Sequence, residues 1–201
     1  MVSDSSAVKA HKSLLKISKR NKHIQFYEYL YKSKIISINS RLDKENNLQF
    51  FIAKTIISQQ VSVGAAKSIW KKVEILLKEK KIIITPERLV KCGLSKPKAS
   101  YIYEVLNNVE LQLVSKKTLK KMQDDELSKF FLKIKGIGPW TLGIIKMFYL
   151  GNLDTYLNGD LAIKKRALYF FNDSEYSGED YSPYRTYLCL YLWQSISTSL
   201  D

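Results

Sequence analysis

Cysteine and histidine are scarce in this chain. Of its 201 residues, two are cysteines, Cys92 and Cys189, and they lie far apart and outside any C-x-x-C arrangement. This spacing argues against a disulfide framework and against a zinc site, and it favours a reducing compartment. The two histidines, His11 and His23, have no sequence neighbour that suggests acid–base catalysis, so we interpret both as surface residues.

Long apolar runs are also absent. No uninterrupted apolar stretch approaches the roughly 20 residues that a membrane-spanning helix needs. The N-terminal residues, MVSDSSAVKAHK, lack the apolar core of a secretory signal. The sequence therefore predicts a soluble intracellular protein.

Acidic residues are outnumbered by basic ones. Nineteen Asp and Glu residues face 33 Lys and Arg residues, which gives a net charge of +14 and a pI near 9.6. This balance is typical of a protein that binds nucleic acid, although charge alone leaves a lysine-rich solvated surface or an anionic membrane as alternatives. The hydrophobic content of 45% suffices for one substantial core, in one domain or in two intimate lobes.

Helical periodicity dominates the chain. Apolar residues recur at helical spacing in Leu48–Ile56 and again in Ala66–Leu77, and Ser62 between them is a good N-cap. The run Ile82–Ile84 is too short to predict a strand, and Ser3–Arg20 reads as a polar, basic and frayed segment. We therefore predict an all-α protein.

Helix start and stop signals continue in the middle of the chain. A helix that starts at Pro86 should end at Gly93, and Ser95 should cap the next one. Lys96 and Lys98 follow that cap. The sequence leaves open whether they contact phosphate or are simply solvated.

The most specific pattern runs from residue 127 to residue 165. Two apolar helical stripes flank a break, the first formed by Leu127, Phe130, Phe131 and Ile134, the second by Trp140, Gly143, Ile144 and Met147. Between them Gly136 and Gly138 allow a sharp turn and close approach to something outside, and Pro139 suits a first helical position. The pattern predicts a helix, a hairpin and a second helix, whose opening N–H groups suit a phosphate.

A single aspartate stands before the next helix-like stretch, Leu161–Phe171. Asp160 is well placed to be the N-cap of this helix, and Lys164 follows one turn later, where it could pair with the carboxylate. From these residues alone, a capping role and a catalytic role are both open.

Taken together, these motifs resemble a known family. The run G-I-G is followed closely by Trp140, and twenty residues later Asp160 precedes L-A-I-K. This arrangement resembles the helix-hairpin-helix DNA glycosylases with the Gly/Pro-Asp motif, most closely the 3-methyladenine DNA glycosylase II type. Three further blocks fall in the expected order, so that the resemblance covers about residues 48–193: Ile57–Trp70, Gly93–Ile102 and Ser182–Trp193.

The resemblance implies a two-lobed helical fold without the N-terminal β domain of longer relatives. We expect residues 1–46 to form a basic helical segment that packs with the C-terminal lobe. Residues 47–150 should form a helical-barrel lobe that includes the helix-hairpin-helix at about 127–149. Residues 151–201 should form the C-terminal lobe that carries the catalytic aspartate.

Site residues follow from the resemblance. It implies that Asp160 is the catalytic carboxylate and that Trp140 is one aromatic wall of the base pocket, although Trp140 by itself also fits simple core packing. Tyr181 stands where relatives often carry Trp, and we expect it to be a second wall. Some relatives carry an aromatic residue one turn after the Trp, whereas this chain has Ile144, which leaves the range of bases open.

The expected DNA contacts come from two places. The adjacent glutamines at the junction of the first two helical stripes fit a solvated linker by themselves. The resemblance instead implies that Gln60 fills the gap left by an extruded base, with Gln59 and Ser62 beside it. The hairpin should grip a phosphate through Gly136, Ile137 and Gly138. A monovalent cation held by the carbonyls of Gly136 and Gly138 is also implied, and Lys164 and Lys165 could add phosphate contacts.

The subclass can be narrowed further. Relatives that also cleave the DNA strand carry a lysine nucleophile where this chain has Trp140, and the two cysteines cannot hold a four-cysteine iron–sulfur cluster. We therefore predict a cofactor-free, monomeric, monofunctional glycosylase that releases alkylated purines from double-stranded DNA and binds no membrane. It would act in the cytoplasm of a prokaryote or the nucleus of a eukaryote. A glycosylase for deaminated or mismatched bases, and a non-catalytic DNA-binding module, stay as alternatives.

Overall fold

The structure is a computed structural model that describes residues 5–43, 47–79 and 82–197. Within these ranges the chain is helical and has no β-strand. The short run at residues 82–84 is in neither a helix nor a strand. The helices are α1 Ser5–Arg20, α2 Ile24–Lys32, α3 Leu48–Ser58, α4 Val63–Lys78, α5 Pro86–Lys91, α6 Lys96–Asn107, α7 Val109–Leu113, α8 Lys116–Leu119, α9 Asp124–Leu132, α10 Pro139–Ile144, α11 Leu161–Phe171 and α12 Arg185–Ser197. A π-helix, Ile145–Leu150, continues α10, and a short 3-10 helix, Glu179–Tyr181, precedes α12.

The chain forms two compact units. The described part of the first unit consists of residues 5–42 and 146–197, and that of the second of residues 43, 47–79 and 82–145. In the first unit α1 packs against α2 and α12, and α11 also packs against α12. In the second unit α3 is central and contacts α4, α6, α7 and α10. The three-part division predicted from the sequence stays a prediction.

The N-terminal segment is a packed helix, so the expectation of a frayed segment is wrong. Helix α1 buries an apolar stripe at helical spacing, formed by Ala7, Ala10, Leu14 and Ile17. Lysines fill the intervening positions and made the segment look uniformly polar. Residues 3 and 4 of the predicted segment lie outside the described residues.

Both histidines take part in the core of the first unit, so their interpretation as surface residues is also wrong. His11 is buried, and its Nδ1 lies 2.6 Å from the hydroxyl of Tyr191. His23 is half-buried, with its Nδ1 2.8 Å from the hydroxyl of Tyr181. Burial lowers the pKa of both imidazoles, and for His23 the charge of Asp180 opposes part of that effect.

Local capping signals predicted the helix starts of the second unit well. The hydroxyl of Ser62 accepts a hydrogen bond from the first turn of α4, and Pro86 is the first residue of α5. Gly93 follows α5 with a φ of 103°. Ser95 occupies the N-cap position of α6 without a side-chain capping hydrogen bond. None of the helices in the described ranges is long and apolar enough to cross a membrane.

Candidate active site

Asp160 is fixed at the start of α11. It occupies the N-cap position, and its Oδ1 accepts a hydrogen bond from the backbone N–H of Ile163 at 2.9 Å. The predicted capping role is therefore confirmed. The indole Nε1–H of Trp193 donates to the same oxygen at 3.2 Å. Two neutral donors thus orient one edge of the carboxylate, and neither of them brings a positive charge to it.

Trp193 contacts the candidate site, and this contact was not predicted from the sequence. It lies in α12, and its ring stacks on that of Phe148 with the centroids 6.2 Å apart and the planes inclined by 24°. This stacking restrains the indole whose N–H meets Asp160. In the sequence, Trp193 stands out only as the last residue of the block Ser182–Trp193 that resembles the family. That resemblance does not predict which group its indole N–H contacts.

Asp154, six residues before Asp160, is a carboxylate of a different kind. Its Oδ1 accepts from Nε of Arg185 at 2.8 Å, and its Oδ2 accepts from Nη2 of Arg185 and from the hydroxyl of Ser182, both at 2.9 Å. Burial raises the pKa of Asp154, but the hydrogen bonds from Arg185 and Ser182, together with the charge of Arg185, outweigh that effect and hold the pKa below its ordinary value. This bidentate pair fixes the start of α12.

The two predicted basic contacts follow Asp160 in α11. Nζ of Lys164 lies 2.7 Å and 2.9 Å from the carboxylate oxygens of Glu175, an exposed residue. Glu175 is thus the partner that the structure gives to Lys164, whereas the sequence suggested Asp160. Lys165 is exposed. The contacts of both lysines with DNA stay predictions.

Tyr181 cannot be a wall of an open base pocket, and this prediction is corrected. Its side chain is 0% exposed. The hydroxyl bonds to Ser18 at 2.9 Å and to His23, and the ring packs edge-on against Phe26 and beside Phe171. All these neighbours belong to the first unit, so the burial is internal to that unit. A ring without exposed surface has no face on which a base could stack.

In the second unit, the hairpin turn between α9 and α10 requires glycine at one of its two glycine positions. Gly136 has a φ of 87°, and a Cβ built there would lie 2.6 Å from Cβ of Tyr101. Gly138 has an extended backbone, and a Cβ there would meet nothing within 4 Å. Ile137 between them is 4% exposed, so its side chain belongs to the core. The turn therefore presents backbone and open space, as its predicted contact with DNA requires.

Helix α10 begins as the sequence predicts. Pro139 is its first residue and Gly138 its N-cap, and the carbonyl of Gly138 accepts from the N–H of Leu142 at 3.0 Å. Trp140 follows in the first turn and is half-buried. Its role as a pocket wall stays a prediction.

The junction of α3 and α4 contains the predicted wedge. Gln60 is exposed and has a φ of 55°, a left-handed conformation that costs a non-glycine residue about 1 kcal/mol. Gln59 is half-buried, and its Nε2 donates to the hydroxyl of Thr141 at 2.9 Å. Ser62 caps α4. The contacts of these three residues with DNA stay predictions.

Comparison with known proteins decides the family. No family model matches the chain. Over 160 residues the chain is 32% identical to the alkylbase DNA glycosidase-like protein mag2 of Schizosaccharomyces pombe, and the match covers 71% of the chain and 75% of that relative. The chain belongs to the helix-hairpin-helix DNA glycosylase superfamily, in its 3-methyladenine DNA glycosylase II group.

Solved structures share the fold of this glycosylase. A DNA-3-methyladenine glycosidase from Bacillus halodurans aligns with a TM-score of 0.74 and 27% identity, covering 98% of the chain and 92% of that protein. The 3-methyladenine DNA glycosylase Mag1 of Schizosaccharomyces pombe, solved in complex with abasic DNA, aligns with a TM-score of 0.72 and 20% identity over 95% of the chain and 98% of its own. The predicted helical glycosylase fold is confirmed.

Among the residues in the described ranges, no group of three or more His, Cys, Asp or Glu side chains could hold a metal ion. The monovalent cation predicted at the carbonyl oxygens of Gly136 and Gly138 concerns backbone atoms, and it stays a prediction.

Proposed function

We propose that this glycosylase releases alkylated purines, of the 3-methyladenine and 7-methylguanine class, from double-stranded DNA and leaves an abasic site. The observation that carries the proposal is the carboxylate of Asp160, which Ile163 and Trp193 hold in place and which the resemblance to the family implies is the catalytic aspartate. DNA is the partner: the chain carries +14, and the related Mag1 was solved in complex with abasic DNA. We expect the protein to act as a monomer.

The carboxylate has a defined electrostatic role in this reaction. Cleavage of an N-glycosidic bond builds positive, oxocarbenium-like charge on the deoxyribose, as in glycoside hydrolysis. A negative charge ~4 Å away, at an effective dielectric constant of ~20, stabilises that charge by about 4 kcal/mol. This corresponds to roughly a thousandfold in rate. Asp160 would thus supply much of the rate enhancement without forming a covalent bond.

Fixation of the carboxylate makes this stabilisation effective. The N–H of Ile163 and the indole of Trp193 both bind Oδ1, which sets the plane of the carboxylate before the substrate arrives. A preorganised charge needs no rearrangement when positive charge develops on the sugar. We therefore assign Trp193 to the orientation of Asp160.

The leaving group explains why no general acid is needed. A purine alkylated at N3 or N7 is cationic, so it departs with the bonding electron pair as a neutral base. Water then adds to C1′ of the sugar and loses a proton to solvent or to Asp160. The balance requires one water molecule and no cofactor.

We propose that the second unit supplies the contacts that expose the base. Gln60 would fill the gap in the duplex, since it is exposed at a turn. The backbone around Gly138 would bind a phosphate, since a Cβ there meets open space. Trp140 would offer an aromatic face to the cationic base. Phosphate contacts read no sequence, so affinity should fall steeply with salt.

The chemistry should stop at the abasic site. Trp140 stands where strand-cleaving relatives carry a lysine nucleophile, and an indole cannot form a Schiff base with the sugar. Borohydride treatment of the reacting complex should therefore trap no covalent protein–DNA adduct. A strong adduct would contradict the assignment.

A panel of duplexes tests the substrate class. Each duplex carries one 7-methylguanine, one hypoxanthine or one mismatched uracil, and single-turnover release of the free base is measured with excess protein. We expect release from the methylated duplex to be at least tenfold faster than from the other two. Faster release of hypoxanthine or uracil would assign the glycosylase to another lesion, and release from none of the duplexes would favour a binding module.

A further inference from the structure

The turn that carries Gln60 is attached to neighbouring helices by side-chain hydrogen bonds. We call residues 59–62 the wedge turn. A cleft of about 300 Å³ lies beside it, lined on one side by residues of the wedge turn and on the other by the start of α6. Gln60, Val61 and Ser62 are exposed. Because the turn borders open space, its position depends on the bonds that attach it to neighbouring helices.

Lys98 provides the first attachment. From α6, its Nζ donates to the carbonyl oxygen of Ile57 at 3.1 Å and to that of Gln59. The last carbonyls of a helix lack an intrahelical partner and carry the negative end of the helix dipole, so an ammonium group is favoured there. Burial lowers the pKa of Lys98, consistent with an amine that is withdrawn from water toward these carbonyls.

Gln59 provides the second attachment. Its side chain donates to the hydroxyl of Thr141, a buried residue of α10. The wedge turn is thus tied to α6 through Lys98 and to the second hairpin helix through Gln59. Gln60 follows directly with its left-handed backbone, which a glutamine keeps only when its surroundings hold it.

We propose that Lys98 is a positioning residue that holds Gln60 in the conformation in which it enters the DNA duplex. This inference rests on the proposed glycosylase function and on the wedge role of Gln60. It assigns to Lys98 a structural bond to the wedge turn and not the phosphate contact that the sequence left open. Without the amine, two carbonyls lose their donor and the turn relaxes, so fewer molecules present the wedge correctly.

Insertion of the wedge can be measured apart from base release. The probe is a duplex with a tetrahydrofuran abasic-site analogue and 2-aminopurine opposite it, because 2-aminopurine fluorescence reports on stacking. Lys98→Met keeps the aliphatic stem and removes the donors. We expect it to reduce the fluorescence change about fivefold and single-turnover base release about tenfold. Lys98→Arg retains charge and donors, so it should recover most of both signals.

A matched control separates positioning from phosphate contact. Lys96→Met removes the same charge two residues earlier, from an exposed side chain. Removal of a lysine that contacts phosphate makes the slope of log affinity against log salt less steep by about one. We expect Lys98→Met to leave that slope unchanged, and Lys96→Met to alter the fluorescence change by less than twofold.

The outcomes distinguish this inference from the function on which it rests. A Lys98→Met protein with the fluorescence change of the wild type overturns the inference alone. A Lys98→Met protein whose salt slope is less steep by about one does so too, because Lys98 would then contact phosphate. A wild-type protein that leaves the fluorescence unaltered overturns the wedge role and the inference together. Circular dichroism checks folding. If Lys98→Met does not fold, Lys98→Gln replaces it, since this polar side chain is shorter and lacks the ammonium group, and the same loss of the fluorescence change is expected.

Discussion

Two segments of the molecule hold their functional groups in place by different means. We call residues 151–160 of the first unit the carboxylate segment and residues 133–138 of the second unit the hairpin turn. In the carboxylate segment side chains do this: Arg185 fixes Asp154, and Trp193 helps to fix Asp160. In the hairpin turn the backbone does it, through a left-handed Gly136. The chemistry should therefore respond to the loss of single hydrogen bonds, and the DNA contact to any added Cβ.

The largest expected effect is the difference in the rate of base release between Asp160→Asn and Asp154→Asn. Asp160→Asn removes the charge proposed to stabilise the oxocarbenium ion, so single-turnover base release should fall about a thousandfold or more. Asp154→Asn weakens the pair with Arg185 and should lower the free energy of unfolding by about 2 kcal/mol. Its rate per folded molecule should stay within about threefold of the wild type. Equal losses of rate in both variants would remove the distinction between the two carboxylates.

Alanine substitution at each of the two glycines tests whether the backbone of the hairpin turn requires glycine. Gly136→Ala meets both the left-handed φ and the contact with Tyr101, so it should lower the free energy of unfolding by about 2 kcal/mol or more in urea titrations. Gly138→Ala has an extended backbone and open space, so its stability should stay within about 0.5 kcal/mol of the wild type.

Gly138→Ala, the variant expected to cost less stability, should have the larger effect on affinity for DNA. If the hairpin turn grips a phosphate, a methyl group at position 138 keeps the phosphate away from the backbone. Fluorescence anisotropy with an abasic duplex should then show about tenfold weaker binding for Gly138→Ala. Unchanged affinity would mean that the turn does not approach DNA at that position.

Trp193→Phe should have a smaller effect on rate. Phenylalanine keeps an aromatic ring beside Phe148 and loses the N–H that donates to Asp160. Loss of one orienting hydrogen bond should lower kcat about fivefold, with little change in KM. A change confined to KM would show that Trp193 acts on substrate binding and not through Asp160.

The smallest expected effect is a pH dependence of stability that belongs to the first unit. His11 and His23 have pKa values below the ordinary 6.5 because burial disfavours their charged forms. The unfolded chain therefore binds more protons in this window, and stability present above pH 6.5 is lost as pH falls through the folded-state pKa values. Thermal unfolding at pH 7.5 and pH 5.5 should show a lower Tm at pH 5.5.

The double variant His11→Gln/His23→Gln provides the control for that pH dependence. It should reduce the difference in Tm between the two pH values, since the groups that titrate in this range are gone. The second unit contains no histidine. An equal pH dependence in the double variant would place the titrating groups elsewhere.

Local features were the predictable part of this molecule. Pro139, Gly136 and the caps at Ser62 and Asp160 act within a few residues of their own positions, so the sequence showed the hairpin and the helix starts. The family resemblance then supplied the fold and the function, which neither periodicity nor charge could give.

Contacts between distant residues were not predictable. The hydrogen bond of His11 with Tyr191 spans 180 residues, and that of Tyr181 with His23 spans 158. The bond of Trp193 to Asp160 spans 33. No local pattern states which buried polar groups meet after folding. The histidines and Tyr181 were misjudged for this reason, and Trp193 was missed.

The central claim is that this protein breaks the N-glycosidic bond of alkylated purines. Mass spectrometry of the bases freed from methylated double-stranded DNA tests it most directly. We predict 3-methyladenine and 7-methylguanine in the soluble fraction, with the DNA strand intact and with release by Asp160→Asn lowered about a thousandfold or more. Methylated bases that appear no faster than in DNA without protein, despite tight binding to that DNA, would contradict the account.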